Sequence, residues 1–406
     1  MNVILAGVSF WRILSPRGVR SSSVGQTGLE QILVIRLDAI GDLVMSTLVF
    51  RELKRQYPKS RVTAVVQQQG RSLIETNPFI DRIISPNGVH KARFLYRFRQ
   101  DLAMLRMYFK LLRNENFSLV MNPRAGADLY SADVLIALIG CRRTFKYEDN
   151  SMKGPANLVK KIAFRHMVSL PRKSAQHEVH SNIAITERLT GQPCTSVPEV
   201  FISESDLAAA TLLAPLSPNT TIVSVAFNAQ ARKRAWPLES WARVLDQLSR
   251  DHPIFALIIC AQAEQANGNQ LLKMLSVPGS LISGASLLLV AAAIRQSDLF
   301  IGPDSGLAHL AAAVNCPVLV VSPHPLDGDP DHGNSPLRFG PFSTRSRVIQ
   351  PAHGIPPCTD GCDALESHCI LQVDIDHVTA ACAELLSTDY SSSHMSHNSI
   401  QQAMSR

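Results

Sequence analysis

Short apolar runs alternate along this chain with longer stretches whose apolar residues recur every three or four positions. Gln31–Leu37 (QILVIRL) is a near-continuous apolar run, as expected of a strand covered on both faces in a parallel sheet. Asp42–Tyr57 follows with helical spacing, and Pro58 ends it. Further strands are predicted at Arg61–Val66, Asp81–Ile84 and Phe117–Met121, and a helix over Arg97–Asn114. The second half repeats the pattern, with strands at Thr221–Phe227, Ile254–Cys260, Asp298–Ile301 and Val318–Val321. Helices are predicted there at Leu238–Asp251, Leu287–Gln296 and Gly306–Val314. The double alternation predicts an α/β chain of two doubly wound, Rossmann-like domains facing a central cleft. Ligands in such sheets sit at the carboxyl ends of the strands.

Punctuation places the domains. The first is expected over 31–200 and the second over 220–386, with 201–219 as the linker. That linker lies within the proline-rich stretch Gly191–Asn219, which a short helix at Ser205–Leu213 interrupts. Residues 1–30 lack the charged start of a secretory signal and are expected to be a poorly ordered extension. The serine-rich end, 387–406, is expected to be a disordered tail.

Composition narrows the class. With 46% apolar and 18% charged residues, wholesale disorder is excluded. No uninterrupted apolar stretch reaches the length of a membrane-spanning helix. Eight cysteines among 406 residues are too few for a disulfide scaffold, so a reducing compartment is expected. The formal charge of +7 is unevenly spread. Residues 1–217 hold 29 basic and 17 acidic side chains, and residues 218–406 hold 11 and 16. A basic first half fits an anionic partner.

Three loops at predicted strand ends carry candidate chemistry. Arg36-Leu37-Asp38-Ala39-Ile40-Gly41-Asp42 joins a strand to a helix, and Asp42 reads either as the helix cap or as a reactive carboxylate. Gly302-Pro303-Asp304-Ser305-Gly306-Leu307-Ala308-His309 opens a helix after a strand, the arrangement that presents free N–H groups to an anion. Ser305 adds a hydroxyl, Gly306 permits close approach, and His309 lies one turn further on the same side. Arg232-Lys233-Arg234-Ala235-Trp236-Pro237 puts three cations near another strand end, where they can neutralise a diphosphate. No G-x-G-x-x-G occurs, which disfavours a nicotinamide-dependent oxidoreductase.

Taken together, the three loops resemble family 9 glycosyltransferases, the lipopolysaccharide heptosyltransferases. The resemblance runs through ILVIRLDAIGDLVMSTLVFRELKRQYP at Ile32–Pro58, RKRAWP at Arg232–Pro237 and LFIGPDSGLAHLAAAVNCPVLVV at Leu299–Val321, in the same order over about residues 31–385. It implies a GT-B fold and a metal-independent, inverting transfer of a heptose or related sugar from an ADP-activated donor. The implied acceptor is a lipopolysaccharide core or similar glycan. Carried over by position, it makes Asp42 the general base, with Arg36 and Gly41 on the acceptor side. It places Asp304, Ser305, Gly306 and His309 around the donor diphosphate and Glu264 near the ribose. The family's usual Lys two residues before the Trp is Arg234 here, so either Arg234 or Lys233 neutralises the leaving group. Asn228-Ala229 stands where relatives often have Pro-Gly.

Other signals are weaker. Asp327-Gly328-Asp329 looks like a metal-binding D-x-D but is flanked by Pro and Gly as a surface loop would be. Cys358, Cys362 and Cys369, with His353 and His368 nearby, lack a C-x2-C knuckle, and no metal is expected. No cofactor is expected. Lys91–Arg113 and Arg142–Lys173 are strongly basic without interleaved base-stacking aromatics, which favours an anionic membrane surface over nucleic acid. The expected location is cytoplasmic, peripheral on the inner face of the cytoplasmic membrane. The alternatives are a GT-B enzyme using another nucleotide sugar and a catalytically silent GT-B-like binding protein.

Overall fold

Runs of β-branched and leucine side chains build two parallel sheets, and each sheet has the same strand order. The computed structural model describes residues 31–86, 94–148, 167–214 and 219–387. The expected extension, the tail beyond Ser387 and parts of both basic segments lie outside the described residues. The chain divides into one unit of residues 1–173 and 178–196 and a second of residues 174–177 and 197–406.

In the first unit the strands are β1 (Gln31–Arg36), β2 (Arg61–Val66), β3 (Arg82–Ile84), β4 (Leu119–Asn122), β5 (Thr144–Tyr147) and β6 (Val168–Leu170). They pair in the order β3-β2-β1-β4-β5-β6. All pairs are parallel, with Gln31 opposite Arg61 and Ile32 opposite Leu119. Leu33, Ile35, Val65 and Val120 pack against the helix Ala132–Ile139. That helix is capped by Asp128, whose carboxylate accepts from the N–H groups of Tyr130, Ala132 and Asp133.

The single helix expected over Asp42–Tyr57 is two helices, Ile40–Met45 and Thr47–Gln56. Ser46 Oγ donates to the Leu43 carbonyl and Thr47 Oγ1 to the Val44 carbonyl, at 2.9 and 2.8 Å. Such back-bonding side chains compete with the helical ladder and bend it. The first helix begins at Ile40 with Ala39 in the capping position. Asp42 is therefore the third helical residue, and the reading of it as an N-cap is corrected.

Strands β5 and β6 escape the apolar pattern because they are short and partly polar. In β5 (TFKY) the Lys146 ammonium is buried and pairs with the buried Asp133 carboxylate. Lys146→Met is expected to cost about 3–5 kcal/mol by stranding Asp133, whereas Arg71→Ala, which breaks an exposed pair with Glu75, is expected to cost under about 1 kcal/mol. Urea unfolding of the two variants checks this difference.

The second unit repeats the order in mirror numbering. Its strands are β7 (Thr221–Ala226), β8 (Ile254–Cys260), β9 (Gly279–Ser283), β10 (Leu299–Pro303), β11 (Val318–Val321) and β12 (Ser346–Ile349). They pair in parallel as β12-β11-β10-β7-β8-β9. Its core centres on Trp241, which is fully buried and meets Trp236 edge to face at 4.9 Å between ring centroids. The helix Glu204–Thr211, capped by Ser203, belongs to this unit. Gln296 Nε2 donates to the Leu207 carbonyl at 3.0 Å, so the first part of the expected linker packs as part of the second unit.

This strand order puts a topological switch point between β1 and β4 in one sheet and between β7 and β10 in the other. Loops at the carboxyl ends of those four strands are where a doubly wound sheet leaves a crevice. No helix among the described residues is long and apolar enough to cross a membrane.

Candidate active site

At the first switch point, the end of β1 delivers Arg36, Asp38 and Asp42, and the end of β4 delivers Arg124. Arg36 is 1% exposed overall, and its Nη2 donates to Glu178 Oε1 at 2.8 Å and to Asp42 Oδ1 at 3.2 Å. Its Nε lies 3.2 Å from Asp38 Oδ2, while Arg124 Nη1 reaches the other oxygen of Asp38. Arg124 also donates to the Ala127 carbonyl and stacks over Tyr130. Burial, reinforced by the neighbouring Arg36, pulls the Arg124 pKa down, and burial pushes the Tyr130 phenol up. Of the three carboxylates on Arg36, Asp42 is the one with an accessible side chain, at 22%.

Arg36 thus meets three carboxylates and little solvent. It is a buried cation that fixes the direction of Asp42. Gly41 is buried in the first helical turn. Sequence reading missed Glu178 and Arg124. Glu178 begins a helix 142 residues from Arg36, and nothing local marks it. Arg124, by contrast, follows a predicted strand, so the carboxyl-end rule was a usable signal.

At the second switch point, Pro303 ends β10 and the helix Gly306–Ala313 starts three residues later. Gly302 is required by space: a Cβ there would lie 2.9 Å from the Ala226 carbonyl of the adjacent β7. Ser305 occupies the N-cap position with extended backbone, yet its side chain caps nothing. The end of β7 leads into the turn Arg232–Arg234, which the buried Trp236 anchors. Arg234 reaches back, donating from Nη1 to the Asp304 carbonyl at 2.9 Å and from Nη2 to Asn334 Oδ1 at 2.6 Å. Its Nη1 also sits 3.2 Å from Asp304 Oδ2.

Among the described residues, three buried polar atoms in this group have no partner, Arg234 Nε, Ser305 Oγ and His309 Nδ1, while Asp304 Oδ2 accepts no hydrogen bond and has Arg234 as its ion-pair partner. Native interiors rarely leave such atoms unpaired, and a helix N-terminus presents free N–H groups beside them. Burial raises the Asp304 pKa, with Arg234 pulling against it. Burial, aided by His177 and Arg234, pushes the His309 pKa down to about 3. His309 is thus a neutral imidazole, able to donate or accept one hydrogen bond but unable to supply positive charge. It lines a small cavity with Asp304, Val320, Phe339 and Pro341.

The other expected residues sit apart from this group. Lys233 Nζ donates to the Cys362 carbonyl and lies 4.0 Å from Asp363, whereas Arg234 is turned to Asp304 and keeps its Nε without a partner. Glu264 accepts from Asn267 Nδ2 at 2.8 Å. In the Asp327-Gly328-Asp329 loop, Asp327 pairs with His353 at 2.6 Å and Asp329 accepts from the Asp331 N–H at 2.8 Å. The two carboxylates have separate local partners.

Comparison with known proteins bears on this pair of sites. The chain is 21% identical over 327 residues to the lipopolysaccharide core heptosyltransferase OpsX of Haemophilus influenzae, covering 79% of this chain and 84% of that one. A solved family 9 glycosyl transferase from Veillonella parvula superposes with a TM-score of 0.68 at 17% identity, over 89% of this chain and 98% of the other. The ADP-heptose lps heptosyltransferase II of E. coli does so with a TM-score of 0.63 at 17% identity, over 88% and 98%. These two structures show the fold, the pair of doubly wound domains of the GT-B class. The model of glycosyltransferase family 9 (heptosyltransferase) matches residues 106–323, more than half of the chain. With its second switch-point loop inside that match, the chain belongs to glycosyltransferase family 9 and is a glycosyltransferase.

Proposed function

We propose that this enzyme transfers a heptose, with inversion and without a catalytic metal, from an ADP-activated donor to a lipopolysaccharide core acceptor. The observation that carries this reading is the group of unpaired polar atoms on Arg234, Ser305 and His309 at the start of the helix Gly306–Ala313. A diphosphate at that terminus meets free N–H groups, a guanidinium and a hydroxyl. ADP-heptose is the donor favoured by family membership and by the fold neighbour of that description.

Inverting transfer is a single displacement. The acceptor hydroxyl oxygen forms its bond to the anomeric carbon as the bond from that carbon to the diphosphate oxygen breaks. ADP leaves with the electron pair, and the hydroxyl proton goes to Asp42. The Arg36 guanidinium holds Asp42 in place as the proton acceptor. Arg234 and the helix amides offset the charge growing on ADP. Neutral His309 contributes a hydrogen bond only.

The test is incubation with ADP-heptose and a heptose-deficient core lipopolysaccharide, read by mass spectrometry, with the anomeric configuration read by NMR. One added heptosyl residue of inverted configuration is expected, at a rate that brief EDTA treatment leaves unchanged. A rate abolished by EDTA and restored by magnesium or manganese would overturn the metal-free mechanism.

The same reading places the enzyme on the cytoplasmic face of the inner membrane, where an anionic lipid surface presents the acceptor. In the first unit, Phe109 is 57% and Leu111 40% exposed beside the exposed cations Arg106, Lys110 and Arg113. Apolar side chains among cations suit an anionic interface. Binding to anionic liposomes is expected at low salt and should fall as the Debye length drops below about 10 Å, which it has at 0.1 M. Equal sedimentation with neutral liposomes would remove this assignment.

A further inference from the structure

Between β12 and the final helix (Ile375–Ser387) the chain runs through a long loop with little regular hydrogen bonding. Cys358, Cys362, His368 and Cys369 meet there, with one ligand atom from each lying within 4.8 Å of all the others. The three cysteines are 8%, 0% and 0% exposed and form an apolar cluster of their own with Ile355 and Ala364. His368 turns Nδ1 inward, 3.6 Å from Cys358 Sγ and 3.4 Å from Cys369 Sγ. All eight cysteines are free thiols, and the others are scattered singly through the two units.

We propose that Cys358, Cys362, His368 and Cys369 form a closed, four-coordinate structural zinc site. Three thiolates and one imidazole are a donor set that zinc takes tetrahedrally, with Zn–S near 2.3 Å, which puts the sulfurs about 3.8 Å apart. The four ligand atoms need to close in by only about an ångström from their present spacing. The spacing C-x3-C-x6-C argued against metal because it lacks a C-x2-C knuckle, and it does not choose between His353 and His368 as a fourth ligand. The fold decides it: His353 is held by Asp327, and His368 faces the sulfurs.

The surroundings complete the argument. The Ile355 N–H donates to Cys369 Sγ at 3.4 Å, and backbone N–H groups of Asp363 and Ala364 face Cys358. Amides aimed at sulfur are the outer partners that steady thiolate ligands. Zinc with three thiolates and a neutral imidazole carries one net negative charge, and the Lys233 ammonium, bonded to the Cys362 carbonyl, is the nearby cation that offsets it. With four protein ligands no position is left for substrate, so the site is a staple and takes no part in the transfer.

The staple has something to hold. Ser367 Oγ donates to the Ala235 carbonyl at 2.6 Å and to the Arg232 carbonyl at 3.3 Å. Glu366 pairs with Arg232 at 3.0 Å. The loop closed by the metal is therefore the seat of the turn that carries Arg234.

The experiment is metal analysis of the full chain purified without chelator, alongside thiol titration. The expected result is about one zinc per chain, with three thiols that react only once a chelator has drawn the metal off. Cys362→Ser should drop the zinc content at least about tenfold, while Cys382→Ser, at a buried cysteine outside the cluster, should keep it. Should Cys362→Ser fail to fold, His368 decides: His368→Cys should retain the metal and His368→Ala should lose most of it. Wild-type protein with less than about one-fifth zinc per chain and freely reacting thiols would overturn the proposal. So would a disulfide within the cluster, or iron in place of zinc.

Discussion

Asp42→Asn is expected to lower turnover by roughly 10²–10⁴-fold while ADP binds as tightly as to the wild type. Asparagine keeps the size and most of the hydrogen bonding of Asp42 but cannot take a proton. Because Ala39, not Asp42, stands in the capping position, loss of a helix cap does not enter the comparison. What remains structurally is a carboxylate in the first turn and one of three acids on Arg36. Losing a charge near a helix N-terminus costs about 0.3–1 kcal/mol, and Arg36 keeps Asp38 and Glu178. The stability change should therefore be small beside the rate change. Initial rates at saturating donor and acceptor, with calorimetry of ADP binding and a thermal melt, separate the two. A folded Asp42→Asn enzyme within a few-fold of the wild-type rate would leave the mechanism without its base.

Arg234→Met is expected to weaken ADP binding by about 10–10²-fold, the worth of a charge-assisted hydrogen bond at about 1.5–3 kcal/mol. Lys233→Met is expected to change it by less than about threefold, because Lys233 is turned to the Cys362 carbonyl and not to Asp304. Removing Arg234 also leaves the buried Asp304 without its cation, so the melting temperature should fall. Adding Asp304→Asn should restore much of that stability, since a neutral amide tolerates the pocket, but not the lost affinity. Titration calorimetry with ADP on the three variants checks the assignment. A stronger effect at Lys233 than at Arg234 would reverse it.

Central strands were legible because strands buried on both faces carry continuous apolar runs, as in QILVIRL and IFALIIC. Strands β5, β6, β9 and β12 were not. Thr144–Tyr147 is half polar, and its lysine is buried only because Asp133 on a separate helix supplies a counter-charge. The split at Ser46 was equally hidden, since it depends on two hydroxyls choosing carbonyls a turn behind them.

By itself the sequence determined which loops matter, because glycines, helix starts and charged residues at strand ends are local signals with local causes. The tertiary structure decided what the residues in those loops do. It joined Asp42 through buried Arg36 to Glu178, a residue that no nearby pattern marks. It turned Arg234 towards Asp304 and Lys233 towards Cys362, although the two stand side by side in the chain. It also made His309 neutral, because burial acts on the imidazole through everything packed around it. Spacing along the chain fixes which residues share a turn. Direction, burial and long-range partners belong to packing, and those set charge and reactivity.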